Sequence, residues 1–270
     1  MSSEKKTGGS LFAIIVIPVI IVFCYVIFYT LFGNPANFKG GTTAGHPLDT
    51  NPQWFYATVY KGGIIVPILM SIVLIVITFT VERFITISKA KGRGRIDSFI
   101  REVRTRLNND QVNEALELCD TQRGSVANVV RSGLQKYQNV RNDNSLDRES
   151  KIAAVKDELE EATQLELPML TKNLFIISTC ASIATLVGLI GTVLGMIKSF
   201  GALSSAGGTV DAAELSAGIS EALINTAIGI GGSCIAIIMY NYFSNKIDAI
   251  THGIDEAGFT VSQTFSAKNI

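Results

Sequence analysis

Four stretches of this chain are nearly free of charge and long enough to cross a bilayer: Leu11 to Phe32, Gly62 to Val81, Asn173 to Ile197 and Leu215 to Tyr242. The first three contain no Asp, Glu, Lys or Arg, and the fourth contains one, Glu221. A membrane helix needs about 20 mostly apolar residues at 1.5 Å rise each, so each stretch predicts one span. Charged residues make up only 17% of the 270 residues, against roughly 25% in soluble domains, which argues against an ordinary soluble enzyme. With 23 basic and 23 acidic residues there is no global field to hold nucleic acid. The first run follows Lys5 and Lys6, as a signal peptide would, but it exceeds the usual core of about 7–15 residues and is bulky to its end. It is read as a retained helix. Pro18 and Pro67 are expected near the starts of their helices, where a kink is tolerable.

Loop charges orient the spans. Residues 84–171 carry fourteen Lys and Arg, the connection 33–61 carries only Lys39 and Lys61, and 201–214 carries none. The positive-inside rule therefore places 84–171 in the cytoplasm with both termini, and 33–61 and 201–214 outside. The cytoplasmic region reads as helical. Residues 97–119 give two amphipathic pieces around a turn at Asn108-Asn109-Asp110, residues 150–170 a charged helix, and 139–150 a polar loop. Cys24, Cys119, Cys180 and Cys234 show no CxxC spacing and read as small apolar fillers. His46 and His252 are far apart, so neither a metal site nor a cofactor is expected. No nucleotide loop, nucleophile elbow or carboxylate pair points to an enzyme.

Polar residues inside the apolar runs are not scattered. Ser178, Thr185, Thr192 and Ser199 recur every seventh residue, placing them on nearly one face of the third span. Gly188, Gly191 and Gly195 flank that face, and Gly191-x-x-x-Gly195 permits close approach of another helix. On a wheel of the fourth span, Gly218, Glu221, Ala222, Asn225, Thr226, Gly229, Gly232, Ser233 and Ala236 fall within an arc of roughly 140°. Isoleucines and leucines occupy the other side. A charge near the bilayer interior is costly, so Glu221 is expected to face an assembly or a wet cavity. Single Ser, Thr and Gly residues in spans usually serve packing; two aligned faces and one acid suggest an ion or proton path. Glu82-Arg83 reads as an interfacial anchor and Lys198 as a snorkelling end residue.

These residues carry a resemblance. Gly188-Leu-Ile-Gly-Thr-Val-Leu-Gly-Met-Ile-Lys-Ser-Phe200 resembles the signature of the MotA/TolQ/ExbB proton channel family, closest to the ExbB/TolQ branch. Gly218-Ile-Ser-Glu-Ala-Leu with Thr226-Ala-Ile-Gly and Tyr240-Asn241 is similar to that branch's last membrane helix. Asn113-Glu-Ala-Leu-Glu-Leu-Cys119, Glu160-Glu-Ala and Glu82-Arg83-Phe84 match in kind. The resemblance covers roughly residues 62–245. It implies an all-α membrane protein with a three-helix core plus an extra N-terminal helix, and long helices reaching into a helical cytoplasmic domain. The segments would be 1–61 (extra helix and external loop), 62–88 (core span), 89–172 (cytoplasmic domain), 173–243 (two pore-lining spans) and 244–270 (tail). It also implies a homo-oligomer, typically a pentamer, in the bacterial inner membrane. That ring would enclose an ExbD/TolR-like single-helix subunit bearing a membrane Asp and pass work to a TonB- or TolA-like protein. Thr192, Glu221 and Thr226 match the family's pore-lining positions; Asn225, Thr185, Ser199 and Ser178 share the polar faces, and Gly188, Gly191, Gly195, Gly218 and Gly229 are assigned to helix packing. A gliding, secretion or flagellar stator and a non-conducting scaffold are the alternative outputs. The leading helix is extra to the usual plan, and Asn225 puts an amide beside the acid.

Overall fold

In a computed structural model of the chain the described residues are 8–43, 45–141, 143, 145–205 and 212–267. Lys5, Lys6 and residues 206–211 of the loop expected over 201–214 lie outside them, whereas 201–205 and 212–214 of that expected loop are helical. The elements are α1 (Gly8–Ile27), continued by a π-helical turn (Phe28–Phe32), α2 (Gln53–Tyr60), α3 (Val66–Lys91), α4 (Ile96–Asn108), α5 (Val112–Gln122), α6 (Gly124–Arg141), α7 (Arg148–Thr171), α8 (Leu174–Ser205) and α9 (Ala212–Ala267). Among the described residues the only β pairing is an isolated bridge between Phe38 and Pro47. Four helical stretches are long and apolar enough to cross a membrane, giving the all-α membrane fold with four spans that the charge-free runs predict.

The helices overrun the spans. α9 has 56 residues and α8 has 32, because backbone hydrogen bonding continues where apolarity stops. Pro18 is not near a helix start: α1 begins at Gly8, which puts the proline mid-helix, whereas Pro67 occupies the first turn of α3. α6 is a helix without a clear apolar period in the sequence. Its buried Val126, Val129, Val130, Leu134 and Tyr137 are mostly small and interleaved with polar residues.

The chain divides into two compact units. One comprises residues up to Thr80 with Phe175–Tyr240; the other comprises Val81–Leu174 with Asn241–Ile270. In the first, the end of α1 is fixed by aromatic packing. Phe28 stacks on Tyr60 at 5.0 Å, Phe32 meets Tyr56 edge-on at 5.3 Å, and both join Val59 and Val66 in a cluster that also takes in Ile224 and Ile228 of α9. Asn37 then closes the π turn, its Nδ2 donating to the carbonyls of Leu31 (2.8 Å) and Phe32 (3.1 Å). Carbonyls freed at a helix end need such donors. Exposed Ile14, Ile15, Val19, Ile190, Val193, Leu223, Ile230 and Ile238 make an apolar surface that water would not tolerate and lipid does.

The second unit is a helical bundle of α4 to α7 with the last part of α9. Phe99, Val103 and Leu107 of α4, Leu134 and Tyr137 of α6, Leu159 of α7 and Ile254, Val261 and Phe265 of α9 are buried. Tyr137 and Phe265 stack with centroids 3.8 Å apart. α6 and α7 approach closely at Gly133, where a Cβ would meet Leu159 Cδ2 at 2.5 Å. Asp147 caps α7 by accepting from the Ser150 amide at 3.2 Å. Gly92 follows α3 at φ +74°, with backbone carbonyls of Gln122 and Arg123 where a side chain would stand.

Candidate functional site

The small-residue faces of α8 and α9 meet each other within one subunit. A Cβ on Gly191 would stand 2.5 Å from Asn225 Cβ, one on Gly195 2.7 Å from the Gly218 carbonyl, and one on Gly229 2.9 Å from Gly188 Cα. Only glycine allows two backbones this near, so Gly188, Gly191, Gly195, Gly218 and Gly229 lie together in one seam. Ser199 is buried at its end, its Oγ 3.0 Å from the Gly195 carbonyl and 3.2 Å from that of Leu215. Asn225 is 1% exposed in the same seam. Its Nδ2 donates to the Gly62 carbonyl at 2.9 Å, and its Oδ1 has no partner among the described residues.

Ser178, Thr185, Thr192, Glu221 and Thr226 are half-buried and form the rim of that seam. The hydroxyls of Thr192 and Thr226 bond back to their own helices, at Leu189 (2.6 Å) and Ala222 (3.1 Å), leaving oxygen lone pairs free to accept. Ser178 and Thr185 line a cavity of about 330 Å³ with Ser182, Ser233, Ile237 and Tyr240. The heptad-spaced residues of α8 therefore occupy two environments: Ser199 is sealed between helices, while the other three stand at its edge.

Glu221 accepts from Lys198 Nζ at 2.8 Å. The pair joins α8 to α9 across 23 positions of sequence, with the glutamate 15% exposed and the lysine 66%. Gly63, at φ +77°, lies against the carboxylate, and any side chain there would collide with it. The Gly62-Gly63 turn that precedes α3 thus docks on α9 at two points, Glu221 and Asn225. A cavity of about 540 Å³ opens beside the pair, lined by His46, Tyr60, Lys61 and Ser220 among others. The arrangement pairs a carboxylate with an ammonium group in a mostly apolar subunit, beside an open cavity. Two of its members were not legible as such: Lys198 reads as an end residue, and Gly62-Gly63 as a mere span boundary.

A second polar constellation lies in the other unit. Arg83, 2% exposed, makes a fork on Glu82, with Nε to Oε2 at 2.7 Å and Nη2 to Oε1 at 2.6 Å. Its Nη1 donates to the Leu170 carbonyl at 3.2 Å, and Asn173 Nδ2 reaches Glu82 at 3.4 Å. Asn173, at φ +62°, is the residue at which α7 gives way to α8. The sequence reads Glu82-Arg83 as an interfacial anchor; in the fold a buried Arg83 pairs with a half-buried Glu82 and also satisfies a carbonyl at the end of α7.

The fold and this site define a polytopic helical membrane protein with a lone acid in its last span, clasped by a lysine of the preceding one. The chain belongs to the MotA/TolQ/ExbB proton channel family, whose sequence model matches residues 122–256, half of its length. It is similar to the Tol-Pal system protein TolQ of Pseudomonas aeruginosa, 33% identical over 128 residues (46% of this chain and 54% of that protein). It is similar also to the biopolymer transport protein ExbB of Aquifex aeolicus, 41% identical over 78 residues (29% and 52%), and to that of Helicobacter pylori, 40% over 82 residues (30% and 56%). These relatives support the ExbB/TolQ branch. The chain matches about half the length of each.

Proposed function

We propose that this chain is the ExbB/TolQ-like subunit of an inner-membrane proton channel that converts proton motive force into mechanical work. Several copies, five by analogy with the family, surround one or more ExbD/TolR-like helices bearing a membrane Asp. The rim residues Thr192, Glu221 and Thr226, with Ser178 and Thr185, face the shared axis. Ser199 and Asn225 hold the two pore helices and the Gly62-Gly63 turn in register behind them. Work passes to a TonB- or TolA-like protein. The basic residues of 84–171 stand in the cytoplasm with both termini, and 1–61 supplies an additional span and external segment.

The observation that carries this reading is the Lys198–Glu221 pair on the rim of the seam. A carboxylate retained in a span and provided with a dedicated counter-cation is a functional group by default. Neighbouring hydroxyls at Thr192 and Thr226 can order water between it and a partner's acid. The family is one of proton channels rather than enzymes.

The test is proton uptake by the purified complex in proteoliposomes under an imposed gradient. Glu221→Ala and Thr226→Val are expected to cut flux about tenfold or more, equal to roughly 1.4 kcal/mol on the barrier, with oligomer mass unchanged. Lys198→Gln falls with them, and Lys198→Arg retains flux. Normal flux in both Glu221→Ala and Thr226→Val at equal protein level would leave a scaffold instead.

A further inference from the structure

The helical unit that contains Val81–Leu174 and Asn241–Ile270 carries a basic cavity that the channel reading does not use. Its volume is about 320 Å³, and Phe84, Ser88 and Lys91 of α3 and Tyr242, Lys246 and Ile250 of α9 line it. Phe84 and Tyr242 lie parallel, 4° apart in plane with centroids at 6.4 Å, and both are exposed. Lys246 Nζ stands 5.6 Å from the Tyr242 ring centroid. Neither Lys91 nor Lys246 has an ion-pair partner among the described residues. Two ammonium groups from different helices thus share one hollow with no acid among its described lining residues.

Their depth identifies what can neutralise them. The charge-free run of α3 ends at Val81 and that of α9 at Tyr242, so both lysines follow the ends of their spans. Aromatic rings and snorkelling lysines at a span end mark the headgroup layer. Val81, Phe84 and Ile85 are exposed on one face of α3, at helical steps of three and four, with Ser88 next on that face. A greasy track therefore leads from the basic hollow toward the hydrocarbon.

We propose that this cavity binds the phosphate of an anionic phospholipid, with Lys91 and Lys246 on the phosphate and the acyl chains along Val81, Phe84 and Ile85. A free phosphate would satisfy the lysines equally but would leave the apolar track uncovered. Basic hollows between spans at the cytoplasmic face are suited to such headgroups. The site rests only on the spans being embedded in a bilayer and is independent of the role of Glu221.

The experiment is native mass spectrometry of the purified, delipidated complex titrated with phosphatidylglycerol, phosphatidylcholine, glycerol phosphate or inorganic phosphate. Wild type is expected to retain phosphatidylglycerol in preference to phosphatidylcholine and to bind neither soluble phosphate comparably. Lys91→Gln with Lys246→Gln should weaken phosphatidylglycerol binding roughly tenfold or more, each single variant less, and the two arginine replacements should keep it. Because a double variant can fail to assemble, each single glutamine variant is measured as well, at wild-type oligomer mass. Equal retention of the two lipids, unchanged retention in the glutamine variants, or soluble phosphate binding as well as the lipid would overturn the proposal.

Discussion

At the scale of single residues, the chain keeps a few polar groups in apolar surroundings and gives most of them a named partner. Glu221 has Lys198, Asn225 has the Gly62 carbonyl, and Arg83 has Glu82 with the end of α7. The acid was legible in the sequence because it is the lone charge in four long runs. Its lysine was not, since a separation of 23 positions says nothing about which turns of α8 and α9 face each other. The wheel of α9 correctly separates small from greasy residues, but a wheel cannot say whether the small face meets its own subunit or another. The contacts answer that for Gly218, Asn225 and Gly229, which pack on α8 of the same chain. Cys119 is legible as a filler, and burial pushes its thiol up to about 12, with the Asp120 charge adding to the rise. The reactive thiolate is therefore almost absent at neutral pH and grows only as pH climbs toward that value. With the other cysteines replaced, alkylation of Cys119 in the native protein at pH 8 should run about a thousandfold slower than for a free thiol. Labelling at the free-thiol rate, without unfolding, would contradict the buried placement.

At the scale of elements, the four spans follow from the absence of charge, and the physics is one-sided: lipid forbids unsatisfied backbone, so such runs become helices. What apolarity cannot mark is where a helix stops. α3, α8 and α9 continue past their greasy runs because nothing in Phe84–Ala90 or Asn241–Ala267 breaks a helix. α6 is not legible in the sequence because Val126, Val129 and Val130 are small and polar residues interrupt them; its face becomes apparent only against Leu159 and Phe265. Beside the break between α7 and α8 at Asn173, Arg83 donates to the Leu170 carbonyl. Removing one partner of a buried pair leaves an uncompensated charge. Arg83→Ala should destabilise the helical unit by about 3 kcal/mol, seen as a lower unfolding temperature of the purified complex, whereas Lys89→Ala on the exposed side of α3 should not. An unchanged transition in Arg83→Ala would show that Glu82 and Leu170 find other partners.

At the scale of the molecule, one subunit has a buried small-residue seam, a half-buried polar rim and a broad apolar surface. The apolar surface belongs against lipid or other spans. In the proposed assembly, copies arranged about an axis bring the rims to a place where water and a second polar surface meet them. We propose that the rims of several copies turn inward together. The most direct measurement is an electron cryomicroscopy map of the purified complex at side-chain resolution. The expected result is a closed ring in which Thr192, Glu221 and Thr226 of every copy line a central lumen occupied by a single-helix partner. A ring with those side chains directed at acyl chains, or a solitary subunit without a lumen, would contradict it.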